Sequence, residues 1–210
     1  MRGGISRQGR RVQEPKLRVC GGPCPFFMSR RNQSMSPKFH VYRNLVDVDD
    51  MDYAKIDALV HRDGSFIFNP DKRRWQTRIR ADLAFHKKFV RALEGAGIVR
   101  GRTVGNMFAL HSKKGCQQQQ WHYDFDPDLL RGIRKKPLGA LLALEEGTKL
   151  AVHGIGDVLL QRGDCLVFDG DLVHAGSAYP DAPNTRVHVY LDVPTVERVK
   201  NRTWFFLEED

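Results

Sequence analysis

The sequence predicts a mainly β domain, an antiparallel sandwich or barrel braced by two helices. Three observations predict it: two amphipathic runs of helical period come first, eight short β-prone runs between turns follow, and no internal repeat interrupts them. In DDMDYAKIDALVHRDG (49–64) Asp49 or Asp50 is placed to cap a helix, with Tyr53, Ile56, Leu59 and Val60 on one face. SFIFN (65–69) is a short strand stopped by Pro70. ADLAFHKKFVRALEGAG (81–97) reads as the second helix, turning Leu83, Phe85, Phe89, Val90 and Leu93 inward before its closing glycines. The β-prone runs are 103–111, 118–125, 138–145, 148–154, 157–161, 164–169, 172–177 and 185–193. The closing WFFLEED is expected to dock its three aromatics on the domain.

Charge divides the chain. Residues 1–43 carry ten Lys or Arg against one acid, whereas the remainder balances 24 bases with 24 acids, so this first stretch holds the whole net charge of +9. Residues 1–38 are rich in Arg, Gly, Ser and Pro and are expected to be disordered, with the globular domain over 39–210. A solvated tail, an organelle-targeting presequence and a nucleic-acid-touching arm all remain open for that leader. No apolar run approaches the roughly 20 residues of a membrane helix, and no secretory signal precedes the domain, so an intracellular, soluble protein is expected. The four cysteines, Cys20, Cys24, Cys116 and Cys165, suit a reducing compartment better than a disulfide framework, and Cys20 and Cys24, two thiolates where a structural zinc wants four ligands, are read as free thiols.

The chemistry lies in QQQQWHYDFDP (117–127). Residues two apart on a strand point the same way, roughly 7 Å apart, so His122 and Asp124 can grip one ion while Tyr123 faces away. The third candidate is His174, at a hairpin mouth in CLVFDGDLVHAGSAYP. Two imidazoles and a carboxylate on one face leave the opposite positions of a metal open, the arrangement of non-haem Fe(II) oxygenases. Arg186 opens RVHVYLDV, which alternates Val187, Val189, Leu191 and Val193 with Arg186, His188, Tyr190 and Asp192. That polar face turns either to water or into a cavity, where Arg186 offers a fork suited to a carboxylate.

The set His122, Asp124, His174 and Arg186, with GDCLVFDGDLVHAGS around the second histidine, resembles the Fe(II)- and 2-oxoglutarate-dependent dioxygenases over roughly residues 100–195. The nearest flavour is the prolyl-hydroxylase and phytanoyl-CoA-hydroxylase type. The resemblance implies a double-stranded β-helix (jelly roll, cupin-like) with two supporting N-terminal helices. It implies Fe(II) on His122, Asp124 and His174, and 2-oxoglutarate held by Arg186. The reaction it implies uses O₂ and decarboxylates 2-oxoglutarate to succinate while hydroxylating a substrate that the sequence does not name. His188 and Gln120 are candidate co-substrate contacts, the latter from sharing a strand face with His122; Gln118 and Asn106 are weaker ones. Asp192 stands where nucleic-acid demethylases of this class carry a second Arg, which weighs against base repair, and Asp124 weighs against halogenation.

Two basic clusters, DKRRWQTRIR (71–80) and RGIRKKP (131–137), offer either a solvated surface or a cationic rim around Trp75 for an anionic substrate. The rival functions are a non-catalytic cupin-like binding protein, a zinc hydrolase on the same ligands, and a nucleic-acid-modifying oxygenase.

Overall fold

The computed structural model describes residues 38–66, 72–199 and 203–207; the leader reading, Cys20 and Cys24 lie outside them. Strand β1 (Phe39–Tyr42) precedes helix α1 (Asp50–Asp63), strands β2 (Ser65–Phe66) and β3 (Arg74–Arg78), and helix α2 (Ala84–Gly95). There follow β4 (Thr103–Ser112), β5 (His122–Tyr123), β6 (Leu138–Ala143), β7 (Thr148–Val152), β8 (Gly156–Leu160), β9 (Cys165–Asp169), β10 (His174–Gly176), β11 (Asn184–Asp192) and β12 (Trp204–Phe205). Two antiparallel sheets form: a major one in the order β1-β9-β6-β11-β4-β3-β2 and a minor one in the order β12-β5-β10-β7-β8. This is the mainly β, jelly-roll arrangement expected, with two helices beside it.

Both helices form where the periodicity places them. Asp49 caps α1 through a capping box with Asp52, satisfying main-chain donors at both ends of the motif. Ile56 and Val60 are buried, with Tyr53 and Leu59 packed beside them. From α2, Phe85, Phe89 and Leu93 join the same cluster.

Alternation along the strands explains the two cores. In β6, Ala140 and Leu142 face the helices, whereas Leu141 and Ala143 face the minor sheet. In β9, Cys165 and Val167 face the helices and Leu166 and Phe168 the other way. Strands buried on both faces read as continuous apolar runs, as LGALLA and CLVF do. The same layering decides the face of β11. Val187, Val189 and Leu191 are buried in the helix-side core, so the polar face carrying Arg186 and His188 turns between the sheets, where both are buried.

Several local expectations fail. The run 71–80, read as a basic cluster, contains strand β3, and Arg74 within it is fully buried. The strand expected over 118–125 shrinks to His122–Tyr123. The reason is that Gln119 bonds Gly176 twice, through its own N–H and through its side-chain oxygen, and holds the QQQQ segment off a regular ladder. Of the closing aromatics, Trp204 and Phe206 are half-buried, but Phe205 is exposed.

Asp164 ties the start of the domain to the β8–β9 turn. Its oxygens accept from the N–H groups of Asn44 and Gln161, both at 3.0 Å, and from Arg43. Burial opposes its ionisation, but those donors outweigh it and hold its pKa below the usual carboxylate value. Asp164→Ala strands two N–H donors and is expected to cost about 2–4 kcal/mol, read from urea midpoints at pH 7. Because the folded pKa is depressed, this contribution is present above the unfolded carboxylate value and is lost as pH falls toward the lower folded one. The gap between the two proteins should therefore narrow in acid; an unchanged gap would show that ionisation of Asp164 contributes nothing.

Candidate metal centre

His122 and His174 stand directly opposite each other on neighbouring strands of the minor sheet, because β5 and β10 pair antiparallel with those residues in register. Their ring centroids are 4.6 Å apart. Asp124, two residues beyond His122, brings Oδ1 to 3.8 Å from His174 Nε2. One ligand atom from each of the three residues lies within 4.8 Å of the other two. The early His-x-Asp pair and the later hairpin histidine thus converge.

The protonation states suit a cation. His122 Nδ1 lies 2.7 Å from the Gln120 carbonyl, and His174 Nδ1 lies 3.0 Å from the Leu172 carbonyl. A carbonyl only accepts, so each Nδ1 carries a proton and Nε2 is the nitrogen left to ligate. Burial pushes the His174 pKa down to about 4, which keeps that ring neutral at neutral pH. Burial also opposes the charge on Asp124, but in acid, where His174, His188 and His122 around it take up charge, their attraction outweighs burial and holds its pKa below the usual carboxylate value.

Asp124 Oδ2 is buried without a hydrogen-bond donor; His188 Nε2 approaches to 3.3 Å without bonding alignment. Oδ1 is the oxygen nearest His174 Nε2 and so the one offered to a shared ion, while Oδ2 is the far oxygen of that carboxylate. Gly139 makes room for it: a Cβ there would stand 2.4 Å from the Phe168 ring and 3.0 Å from Asp124 Oδ2.

Arg186 leaves the same face of β11 as His188 and is 3% exposed. Its Nη1 donates to Ser112 Oγ at 3.0 Å, and its guanidinium lies 5.3 Å from the Tyr179 ring centroid. Among the described residues it forms no ion pair, although Glu145 feels its charge. Arg74, which sequence reasoning left in a surface cluster, donates to the same Ser112 oxygen at 2.9 Å. Its other amino group reaches the carbonyls of Gln117, Gly176 and Ser177. With both oxygen lone pairs of Ser112 taken by guanidinium donors, its O–H remains to be donated. The pocket thus offers two buried cations and a hydroxyl, a set that suits a carboxylate. His188 is placed against Asp124 and between Phe168 and Tyr190. Gln120 is exposed outside any strand, and its main-chain oxygen is what enters the site, through His122. Asn106 shares the strand face of Ser112 on β4. A cleft beside Asp124 is lined by Phe125, Leu129, Val196, Arg198 and Trp204.

No family model matches the sequence, and no curated protein matches it. Solved structures do. HygX from Streptomyces hygroscopicus, with nickel, 2-oxoglutarate and hygromycin B bound, superposes with a TM-score of 0.55 at 13% identity, over 78% of this chain and 86% of its own. The chain has the fold of the 2-oxoglutarate oxygenases. The epimerase SnoN, in complex with Fe3+, alpha-ketoglutarate and nogalamycin RO, matches with a TM-score of 0.54 at 16% identity, over 82% of this chain and 92% of its own. A Pseudomonas putida prolyl-4-hydroxylase matches with a TM-score of 0.53 at 14% identity, over 74% and 92%. On this oxygenase fold the His-Asp-His group lies between the sheets of the jelly roll. No described helix is long and apolar enough to cross a membrane.

The two basic clusters do not make the continuous cationic rim considered from sequence. Arg74 is internal, Arg80 pairs with Asp82, Arg131 with Asp128, and Lys136 with Asp171. Trp75 is half-buried under Lys113, whose ammonium sits 3.9 Å from the ring centroid.

Proposed function

We propose that the protein is an Fe(II)- and 2-oxoglutarate-dependent dioxygenase that hydroxylates an organic substrate. The observation that carries this reading is a buried Arg186, without an ion pair among the described residues, in the same cup as a converging His-Asp-His group. His122, Asp124 and His174 hold the metal. Arg186, assisted by Ser112 and Arg74, binds the distal carboxylate of 2-oxoglutarate. His188 lies one strand repeat, about 7 Å, from Arg186 and contacts Asp124, so a five-carbon diacid bridges the two ends of the pocket. When bound, iron with 2-oxoglutarate supplies the O₂ activation and C–H oxidation; the protein supplies the rest. Phe168 packs on the His174 ring and helps keep water from its ligating edge. His188 positions Asp124 so that one carboxylate oxygen stays turned to the metal. The primary substrate approaches through the cleft beside Asp124, where Phe125, Leu129 and Val196 meet Asp126, Glu197 and Arg198.

The test is anaerobic addition of Fe(II) and 2-oxoglutarate to the full chain, followed by exposure to O₂. The expected result is a visible charge-transfer absorption that needs both additions, then succinate formed on oxygenation. Metal uptake with no 2-oxoglutarate-dependent band would favour a cupin-like binding protein and overturn the reading.

A further inference from the structure

A second group of metal-ligating side chains lies on the other side of the major sheet. Asp57 and His61 are one helical turn apart on α1, and His111 faces them from β4; one ligand atom from each lies within 4.8 Å of the others. His111 and Ser112 are successive residues of one strand, as are Thr185 and Arg186 of another. Alternation therefore places His111 and Thr185 under α1 and sends Ser112 and Arg186 inward. The outer cluster and the co-substrate pocket are back to back through the β4–β11 pair.

The outer residues are held in place. Thr185 donates its hydroxyl proton to Asp57 Oδ1 at 2.6 Å, so the same oxygen accepts from His111 Nδ1–H at 2.8 Å, and ligation through Nδ1 moves that ring to its Nε2–H tautomer. Asp57 Oδ2 lies 3.4 Å from His61 Nε2, and Asp57 Oδ1 lies 3.5 Å from His111 Nδ1. Around a tetrahedral zinc with bonds near 2.05 Å, ligand atoms are spaced about 3.3 Å apart, so side-chain rotations that draw the three atoms in from within 4.8 Å close the shell. The two imidazoles meet edge to face with centroids 4.6 Å apart. Burial keeps His111 below its ordinary pKa, with His61 adding to the effect.

The surrounding charge is mixed. Lys113 and Arg186 oppose a cation near His111. Asp57 and Glu145 favour one, and Glu145, raised first by burial, is raised further by the charge on Asp57, a repulsion that a cation relieves. The side chain of His61 is 46% exposed, so an ion enters from solvent and keeps an open position there.

We infer that Asp57, His61 and His111 form a second site for a divalent transition ion, of the zinc class, distinct from the His122–Asp124–His174 centre. Two imidazoles and one carboxylate suit zinc or cobalt better than magnesium or calcium, which want an oxygen shell. The inference stands on this cluster alone, whatever the first site catalyses.

The experiment is equilibrium dialysis of the full chain against Zn2+, with metal per chain measured by mass spectrometry, and a parallel Co2+ titration followed by ligand-field absorption. His61→Ala, at an exposed position, is expected to bind one equivalent fewer than the parent, and so is His174→Ala. Combining them should remove both. The outer-site Kd in Asp57→Asn should rise by more than the roughly 10–100-fold that losing an outer-sphere partner costs. A His61→Ala protein that is folded by circular dichroism and binds as much metal as the parent would overturn the inference. So would a parent whose zinc is lost entirely with His174→Ala.

Discussion

His174→Ala is expected to abolish iron-dependent succinate formation and to raise the Fe(II) dissociation constant well beyond 100-fold. That exceeds the roughly 10–100-fold cost of losing a partner outside the coordination shell, because one of three protein ligands disappears. Asp124 cannot compensate: its remaining neighbours are His122, already a ligand, and His188, on the far oxygen. The check is an anaerobic Fe(II) titration beside His40→Ala, which removes an exposed imidazole from β1 and should titrate as the parent does. Unchanged iron affinity in His174→Ala would remove the metal assignment. The same substitution carries a pH signature in the metal-free protein. The folded pKa of His174 is lowered from 6.5 to about 4, so between those values the unfolded chain binds a proton that the folded one does not. Stability therefore falls as pH drops through that window, and His174→Ala should flatten this part of the stability–pH curve.

What the sequence revealed and what it hid divide along physical lines. The His-x-Asp spacing was legible because strand geometry alone puts both side chains on one side. The alternation of β11 was legible too, but its meaning was not. Whether Arg186 faced water or a cavity depended on the minor sheet lying across it, a fact encoded in the pairing of His122 with His174. Arg74 was hidden for a related reason. In DKRRWQTRIR it is one cation among several, and acceptors distant in sequence, the Ser112 hydroxyl and the carbonyls of Gln117, Gly176 and Ser177, make burial tolerable. Ser112 was missed because the expected strand stopped one residue short of it. The QQQQ segment misled through the opposite fault: continuing the His122 strand back through it put Gln120 and Gln118 on one face, whereas the Gln119 side chain takes a main-chain donor from Gly176. The Asp57–His61 pair did leave a trace, the four-residue spacing of groups on one helix face, but its third member comes from a strand 50 residues on.

Arg186→Met is expected to raise the KM for 2-oxoglutarate by roughly 30-fold to several-thousand-fold. That range corresponds to about 2–5 kcal/mol for truncating one partner of a buried charge pair. Methionine keeps most of the volume beside Tyr179 while removing the fork, so the change reads electrostatics more than packing. Arg74 stays in place, still fastening β3 to the carbonyls of Gly176 and Ser177, so the variant is expected to fold. Arg74 also holds Ser112 and keeps one cation near the ligand, which favours the lower part of the range. Iron affinity without 2-oxoglutarate should be unchanged, since Arg186 touches none of the three metal ligands. Arg186→Lys restores the charge without the bidentate geometry and should recover part of the lost affinity. The measurement is succinate formation against 2-oxoglutarate concentration, with anaerobic binding followed by the charge-transfer absorption. A parent-like KM in Arg186→Met would place the distal carboxylate elsewhere. A variant that loses iron as well as 2-oxoglutarate would point instead to collapse of the β11–β4 pair, which circular dichroism and a urea melt would register independently.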